Sequence, residues 1–249
     1  MRAPMPVADL RRLSWPTALG AHLGPGLVAF VAALLLAPAV ARLGLPSTFA
    51  LTLSCAFLLG PIEVAALVWA GSRVTGRVSW RSVASVLAYR QRLGRWIWWT
   101  PGLFVVALIV AIGWSPVGGR LAGSLRRVYP SWLLPTDDSG AGRPVAVMVA
   151  VLLVTLVLDG VIVPIVEELY FRAFLLPRLP VGGWRAVPIS AALFAVQHYW
   201  QPFNWPLIFV LQVILTALVI YSRSIRLGIV MHVLTNCFGI LLTLVMVLR

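Results

Sequence analysis

Seven apolar runs, most of them near the length that crosses a bilayer, dominate this sequence. They lie at about 23–43, 48–70, 96–117, from 144 onward, 186–200, 205–221 and 227–248. About 20 apolar residues in a helix span the hydrocarbon core of a membrane. In lipid every backbone N–H and C=O needs an internal partner, and a helix supplies them all. The expected fold is therefore all-α, a polytopic membrane protein of about seven transmembrane helices, within a range of six to eight. Composition agrees: only 11% of the 249 residues are charged, against about a quarter in soluble domains. A soluble domain and a disordered chain are both excluded. Cys55 and Cys237 lie alone inside apolar runs, so neither a disulfide scaffold nor a cysteine metal motif can be assembled.

The charges are lopsided, with 20 basic residues against 7 acidic ones, and every basic residue is Arg. These Arg residues stand in short loops between apolar runs rather than along one face, which is the pattern of orientation signals and contacts with anionic lipid. No nucleic-acid partner is expected. Arg2, Arg11 and Arg12 precede the first run, Arg73, Arg77, Arg81, Arg90, Arg92 and Arg95 follow the second, Arg178 and Arg185 follow the fourth, and Arg223 and Arg226 follow the sixth. A cytoplasmic N-terminus puts all of them inside. The loop with Arg120, Arg126, Arg127 and Arg143 is the exception, and it carries Asp137 and Asp138 as well. Within the large inner loop, Trp80, Val83 and Leu87 share a helical face beside Arg81 and Arg90, as in a short helix lying in the interface. The first run also reads as a signal peptide ending at Ala39-Val40-Ala41, but the long stretch before it favours a retained helix.

The fourth run is too long for one crossing. From Pro144 to Arg178 a helix would extend about 52 Å at 1.5 Å per residue, and Pro164 is expected to kink or break it. Beyond that proline stand Glu167 and Glu168, two of the few acidic residues in the chain. Ionisable groups inside an apolar run are costly and point to function. Glu168 and Arg172 are four apart and face the same side of a helix, while Glu167 points about 100° away. Arg172 can hold Glu168 ionised and leave Glu167 to take and release a proton, which is the division of labour of a general base and its orienting partner. The competing view is a helix end leaving the membrane with wetted charges. Asp159 and Glu63 are the other intramembrane acids, and the pattern assigns neither a role.

His198 follows Phe194 by four residues, and His232 precedes Asn236 by four, so each pair shares a helical face. Counted from the inner loops at 1.5 Å per residue, Glu168 lies about 15 Å deep, His198 about 18 Å and His232 about 9 Å. Three separate runs thus bring polar groups to similar depths, and a polar intramembrane cavity is expected between them.

Glu-Glu-x-x-x-Arg at Glu167, Glu168 and Arg172, then Phe-x-x-x-His at Phe194 and His198, then His-x-x-x-Asn at His232 and Asn236, resembles the CPBP family, which comprises CAAX prenyl proteases and bacteriocin-processing or self-immunity proteins. The resemblance covers about 160–240. The family often has Gly where Ala173 stands, and its sixth helix is usually Gly-rich, whereas 205–221 has no Gly. The division this implies is a set of N-terminal helices with a basic cytoplasmic loop, 1–143, and a CPBP-like catalytic core, 144–249, within one membrane domain.

The resemblance implies an intramembrane endopeptidase whose site residues are Glu167, Glu168, Arg172, His198, His232 and Asn236. In that reading Glu167, with His198 near it, activates a water; Glu168 held by Arg172 orients the assembly; His232 and Asn236 face the developing oxyanion. Glu167, His198 and His232 could instead hold zinc with one position open, although no tightly bound metal is the favoured expectation. The implied partners are membrane lipid and a membrane-associated protein or peptide substrate, and the implied location is a bacterial plasma membrane with the site in its cytoplasmic half. Two other classes compete: a non-catalytic membrane scaffold or immunity protein, and a proton-coupled carrier, for which the repeat symmetry and paired broken helices are not visible.

Overall fold

The structure is a computed structural model and describes residues 11–89, 94–134 and 142–249. Arg2, Arg90, Arg92, Asp137 and Asp138 therefore lie outside the described residues. The chain is all-α, with no strand among the described residues. Eight helices follow one another: α1 (Trp15–Arg42), α2 (Phe49–Thr75), α3 (Trp80–Ser85), α4 (Thr100–Leu125), α5 (Val145–Arg178), α6 (Ala186–Gln197), α7 (Trp205–Ser222) and α8 (Ile225–Val247). Six of them, all but α3 and α6, are long and apolar enough to cross a membrane. Six such helices lie within the expected range of six to eight, and α6 is too short to be one of them.

α6 covers only 12 residues, where the sequence pattern reaches residue 200. The helix stops because His198 leaves helical geometry and turns its ring back, Nδ1 donating to the Phe194 carbonyl at 2.7 Å. Trp205 Nε1 then donates to the His198 carbonyl at 3.0 Å, which fixes the turn into α7. His198 is thus a helix-end residue, not a mid-helix one.

α5 continues through Pro164, so of the expected kink or break the break does not occur. A wide turn over Leu158–Ile162 immediately precedes the proline, and a second one covers Glu168–Leu175. Widened turns shift the hydrogen-bond ladder by one residue, so the missing proline N–H is accommodated without ending the helix. They also rotate the side chains that follow, and such turns are frequent at functional sites.

The short helix expected after α2 is present as α3, capped by Ser79, whose Oγ accepts from Ser82 N at 3.1 Å. Trp80 is exposed, but Val83 and Leu87 do not share its surroundings. Val83 is buried with Leu67, Tyr170, Phe171, Leu175 and Phe194, and Leu87 packs on the same cluster. α3 therefore covers the ends of α2 and α5 and is not simply laid on lipid.

α1 packs across α6 at Gly26. A Cβ there would stand 2.3 Å from the Gln197 carbonyl oxygen, so only glycine permits this approach. Burying Ala18, Ala29, Ala33 and Ala37 along the same helix continues a small-residue seam, the usual device by which membrane helices come close.

Candidate active site

α5 supplies the centre of the polar interior. Glu168 is fully buried, and its Oε1 lies 2.9 Å from Arg172 Nη1 and 2.9 Å from His232 Nδ1. Arg172 is equally buried, donates through Nη2 to Gln212 Oε1 on α7, and lies over the Phe194 ring at 4.1 Å. A buried ion pair is stable only where further hydrogen bonds satisfy both ions. Gln212 and His232 provide one such bond each from two other helices, while Glu168 Oε2 and Arg172 Nε have no hydrogen-bond partner among the described residues.

Glu167 faces differently, as its 100° offset requires. Its Oε1 accepts from Gln197 Nε2 at 3.2 Å, and its Oε2 stands 3.8 Å from His232 Nε2. His232 is therefore set between the two carboxylates. Because Glu168 Oε1 accepts from it, Nδ1 carries the proton, and the other ring nitrogen turns towards Glu167. A neighbour that fixes one imidazole nitrogen decides what the other can do.

His198 and Asn236 lie on the wall of an adjoining cavity of about 520 Å³, whose lining also includes His232, Gln212, Gln201 and Thr235. α4, α7 and α8 form its apolar walls. Ile112, Phe238 and Leu242 on that lining are also exposed on the outer faces of membrane-spanning helices, so the cavity adjoins the acyl-chain region. Asn236 Nδ2 donates to the Asp159 carbonyl at 3.0 Å, and Thr52 Oγ1 donates to Asp159 Oδ2 at 2.6 Å. Asp159 thus ties α2 and α8 to α5.

The expected convergence of three runs is seen, with one change of neighbours. Glu167, Glu168, Arg172 and His232 form one contiguous group, whereas His198 and Asn236 belong to the cavity wall. The side chains that touch Glu167 are Gln197 and His232, not His198. The alternative zinc triad of Glu167, His198 and His232 is not drawn together, although both imidazoles keep Nε2 unspent. No group of three His, Cys, Asp or Glu side chains suited to a metal occurs among the described residues.

Sequence reasoning missed Gln197 and Gln212 because neither belongs to the three spaced motifs that singled out the other site residues, Asn236 included. Both are buried amides in apolar helices, and the cost of an unsatisfied polar group in hydrocarbon was signal enough to find them. Glu63 was noticed without a role. It is fully buried on α2, within electrostatic reach of Glu167 and Arg172, and neither carboxyl oxygen has a hydrogen-bond partner among the described residues.

Residues 149–238 match the Rce1-like family, type II CAAX prenyl endopeptidases. The Rce1-like segment runs from α5 into α8 and contains Glu167, Glu168, Arg172, His198, His232 and Asn236. It agrees with the resemblance to CPBP proteins, and at family level it is a CAAX-type membrane endopeptidase match. It does not reach α1 to α4, so Glu63 lies outside it. No curated protein and no solved structure matches the chain.

Proposed function

We propose that this protein is an intramembrane endopeptidase that cleaves a membrane-associated protein or peptide with water activated by Glu167. The observation that carries the reading is the pair of adjacent carboxylates held in different ways. Glu168 is fixed by Arg172 and His232, while Glu167 keeps a looser contact beside a cavity that adjoins the acyl chains. The Rce1-like match supports it at family level.

In this reading Glu167 removes a proton from water as the water oxygen attacks the scissile carbonyl carbon. The proton then passes to the leaving amine nitrogen, restoring the Glu167 carboxylate. General-base help of this kind contributes about 10²–10⁴-fold to a rate. Glu168 does not meet the substrate; it holds His232 so that Nε2 faces Glu167. Asn236, whose Nδ2 keeps a second hydrogen beyond its bond to the Asp159 carbonyl, offers a donor on the cavity wall for the developing oxyanion, where donors in a dry site are worth most. No step is routed through a metal, since the residues do not group as ligands.

The substrate class follows from the cavity. Its walls are apolar and border exposed faces of α4 and α8, so a segment already dissolved in the membrane has the shorter way in. The Arg-rich loops support a site in the cytoplasmic half of the membrane, which we take to be a bacterial plasma membrane.

The test is N-terminal peptide profiling of membranes from a deletion strain restored with wild type or Glu167→Ala. New N-termini that appear only with wild type are the expected result and would identify the substrates. Identical profiles, with both proteins folded and the deletion phenotype rescued by each, would instead favour a scaffold.

A further inference from the structure

A second groove lies at the C-terminal end of α5 and shares no lining residue with the cavity at His232. Backbone contacts build it. Leu13 N donates to the Arg178 carbonyl at 2.7 Å, Arg12 Nη1 to the Pro180 carbonyl at 3.2 Å, and Arg178 Nη2 to the Val86 carbonyl at 2.9 Å. The segment before α1 is thereby pinned beside the last turns of α2. Arg11 and Arg12 from the one and Arg73 from the other line a space of about 480 Å³, closed by Arg178, Trp69 and Phe174.

Arg178 is the floor of this groove. It spends Nη1 on the Phe174 carbonyl at 2.6 Å and lies over the Phe174 ring at 4.4 Å. Arg11, Arg12 and Arg73 are exposed and meet no carboxylate among the described residues. The described acids, Glu63, Asp159, Glu167 and Glu168, all lie within α2 and α5, away from the groove lining. Asp9, the remaining acid near in sequence, lies outside the described residues. Guanidinium groups of like charge drawn into one groove repel one another unless an anion sits among them. The fork of donors on each favours planar or tetrahedral oxyanions, phosphate above all.

Position selects the source of that phosphate. Trp69, 67% exposed on α2, is where an indole sits at the membrane–water boundary. Leu13 and Val74 add apolar edges to the same groove. A phosphate held there has acyl chains on one side and water on the other.

We infer that Arg11, Arg12 and Arg73 form a binding site for the phosphate of an anionic phospholipid head group. The site ties the entry of α1 to the exit of α2, and it stands whether or not the protein cleaves peptides.

The experiment uses the full-length protein in detergent with phosphatidylglycerol, phosphatidylcholine or inorganic phosphate added, and reads bound lipid by native mass spectrometry together with thermal stability. Wild type is expected to retain phosphatidylglycerol at least about tenfold better than phosphatidylcholine, with a raised melting temperature. Arg11→Gln/Arg73→Gln is expected to lose that preference, and Arg120→Gln/Arg126→Gln, on another loop, to keep it. Should the Gln pair fail to fold, Arg11→Lys/Arg73→Lys keeps the charge, loses the fork, and is expected to bind at an intermediate level. Undiminished phosphatidylglycerol retention in the Gln pair would overturn the assignment. Equal stabilisation by inorganic phosphate, with no lipid preference, would overturn the lipid source and leave a free-anion site.

Discussion

The carboxylates of α5 and the carboxylate of α2 share one interior, yet they are treated in opposite ways. Glu168 meets Arg172 and His232 at 2.9 Å each, and Glu167 has Gln197 and His232 within reach. Glu63 meets Glu167 and Arg172 only through space, with no hydrogen bond to either oxygen among the described residues. The same contrast holds for histidine. His232 is set between two acids, whereas His22 on α1 spends Nδ1 on the Ala18 carbonyl at 2.7 Å and leaves Nε2 without a partner. The charged groups of the Rce1-like segment are thus linked to one another across several helices, whereas Glu63 and His22 have no side-chain hydrogen-bond partner among the described residues. A site built to do chemistry needs its groups held in place by neighbours. On that ground the proposed reaction falls to α5 to α8, with α1 and α2 packed around it.

The largest effect that could break this division is at Glu167. Glu167→Gln keeps the shape and the contact with Gln197 while removing the base, and it should lower the cleavage rate by about 10²–10⁴-fold with an unchanged melting temperature. The rate of formation of new N-termini in wild-type and variant membranes measures it. Retained cleavage would move the base elsewhere in the interior.

Next comes Arg172. Replacing it by Met leaves Glu168 buried beside His232 without its cation, and breaking a buried pair from one side costs about 3–5 kcal/mol. Thermal unfolding in detergent should show that loss, and Glu168→Gln/Arg172→Met should recover a good part of it, because the uncompensated charge is then gone. A loss of under 1 kcal/mol for the single variant would mean that His232 alone carries the charge of Glu168, and the contrast with Glu63 would narrow.

Glycine gives a finer comparison, one position in each region. At Gly228 on α8 a Cβ would meet Glu168 Oε2 at 2.7 Å and Val219 Cγ2 at 2.9 Å; at Gly26 on α1 it would meet the Gln197 carbonyl oxygen at 2.3 Å. Both Ala variants overpack, at about 1–3 kcal/mol. Gly228→Ala should also cut cleavage sharply, since the obstructed atom belongs to the carboxylate that orients His232. Gly26→Ala should cost stability with a smaller loss of rate. Melting temperatures and cleavage rates of the two variants, taken side by side, decide this.

Much of that arrangement was legible in the residues. The apolar runs fixed the class, the four-residue spacing put Glu168 against Arg172, and depth counting brought α5 and α8 together. What was not legible depended on local backbone geometry. The wide turn before Pro164 preserved α5, and the ring of His198 ended α6 three residues before the apolar run does, moving His198 from the carboxylates to the cavity wall. Neither follows from hydropathy, because one rests on a local shift of the backbone hydrogen-bond ladder and the other on a single ring-to-carbonyl bond. Gln197 and Gln212 were missed because, unlike Asn236, they stand outside the spaced motifs, although burial makes their hydrogen bonds as obligatory as those of an acid.

The smallest effect is the sharpest test of α2. Glu63→Leu removes a buried carboxyl that lacks a hydrogen-bond partner and replaces it with a side chain of similar size. A buried polar group left unsatisfied costs about 1–3 kcal/mol, so the variant should be about 1 kcal/mol more stable than wild type by thermal unfolding. A charge-bearing residue kept inside a membrane helix at that cost is a functional candidate by default, and Glu63 lies within electrostatic reach of both Glu167 and Arg172. Cleavage should therefore fall by about tenfold, which corresponds to roughly 1.4 kcal/mol, even as stability rises. Higher stability with unchanged cleavage would confine α2 to packing and leave the chemistry wholly to α5 through α8. Lower stability would show that Glu63 has a partner after all, and the difference between the two regions would then lie in how their charges are paired rather than whether they are.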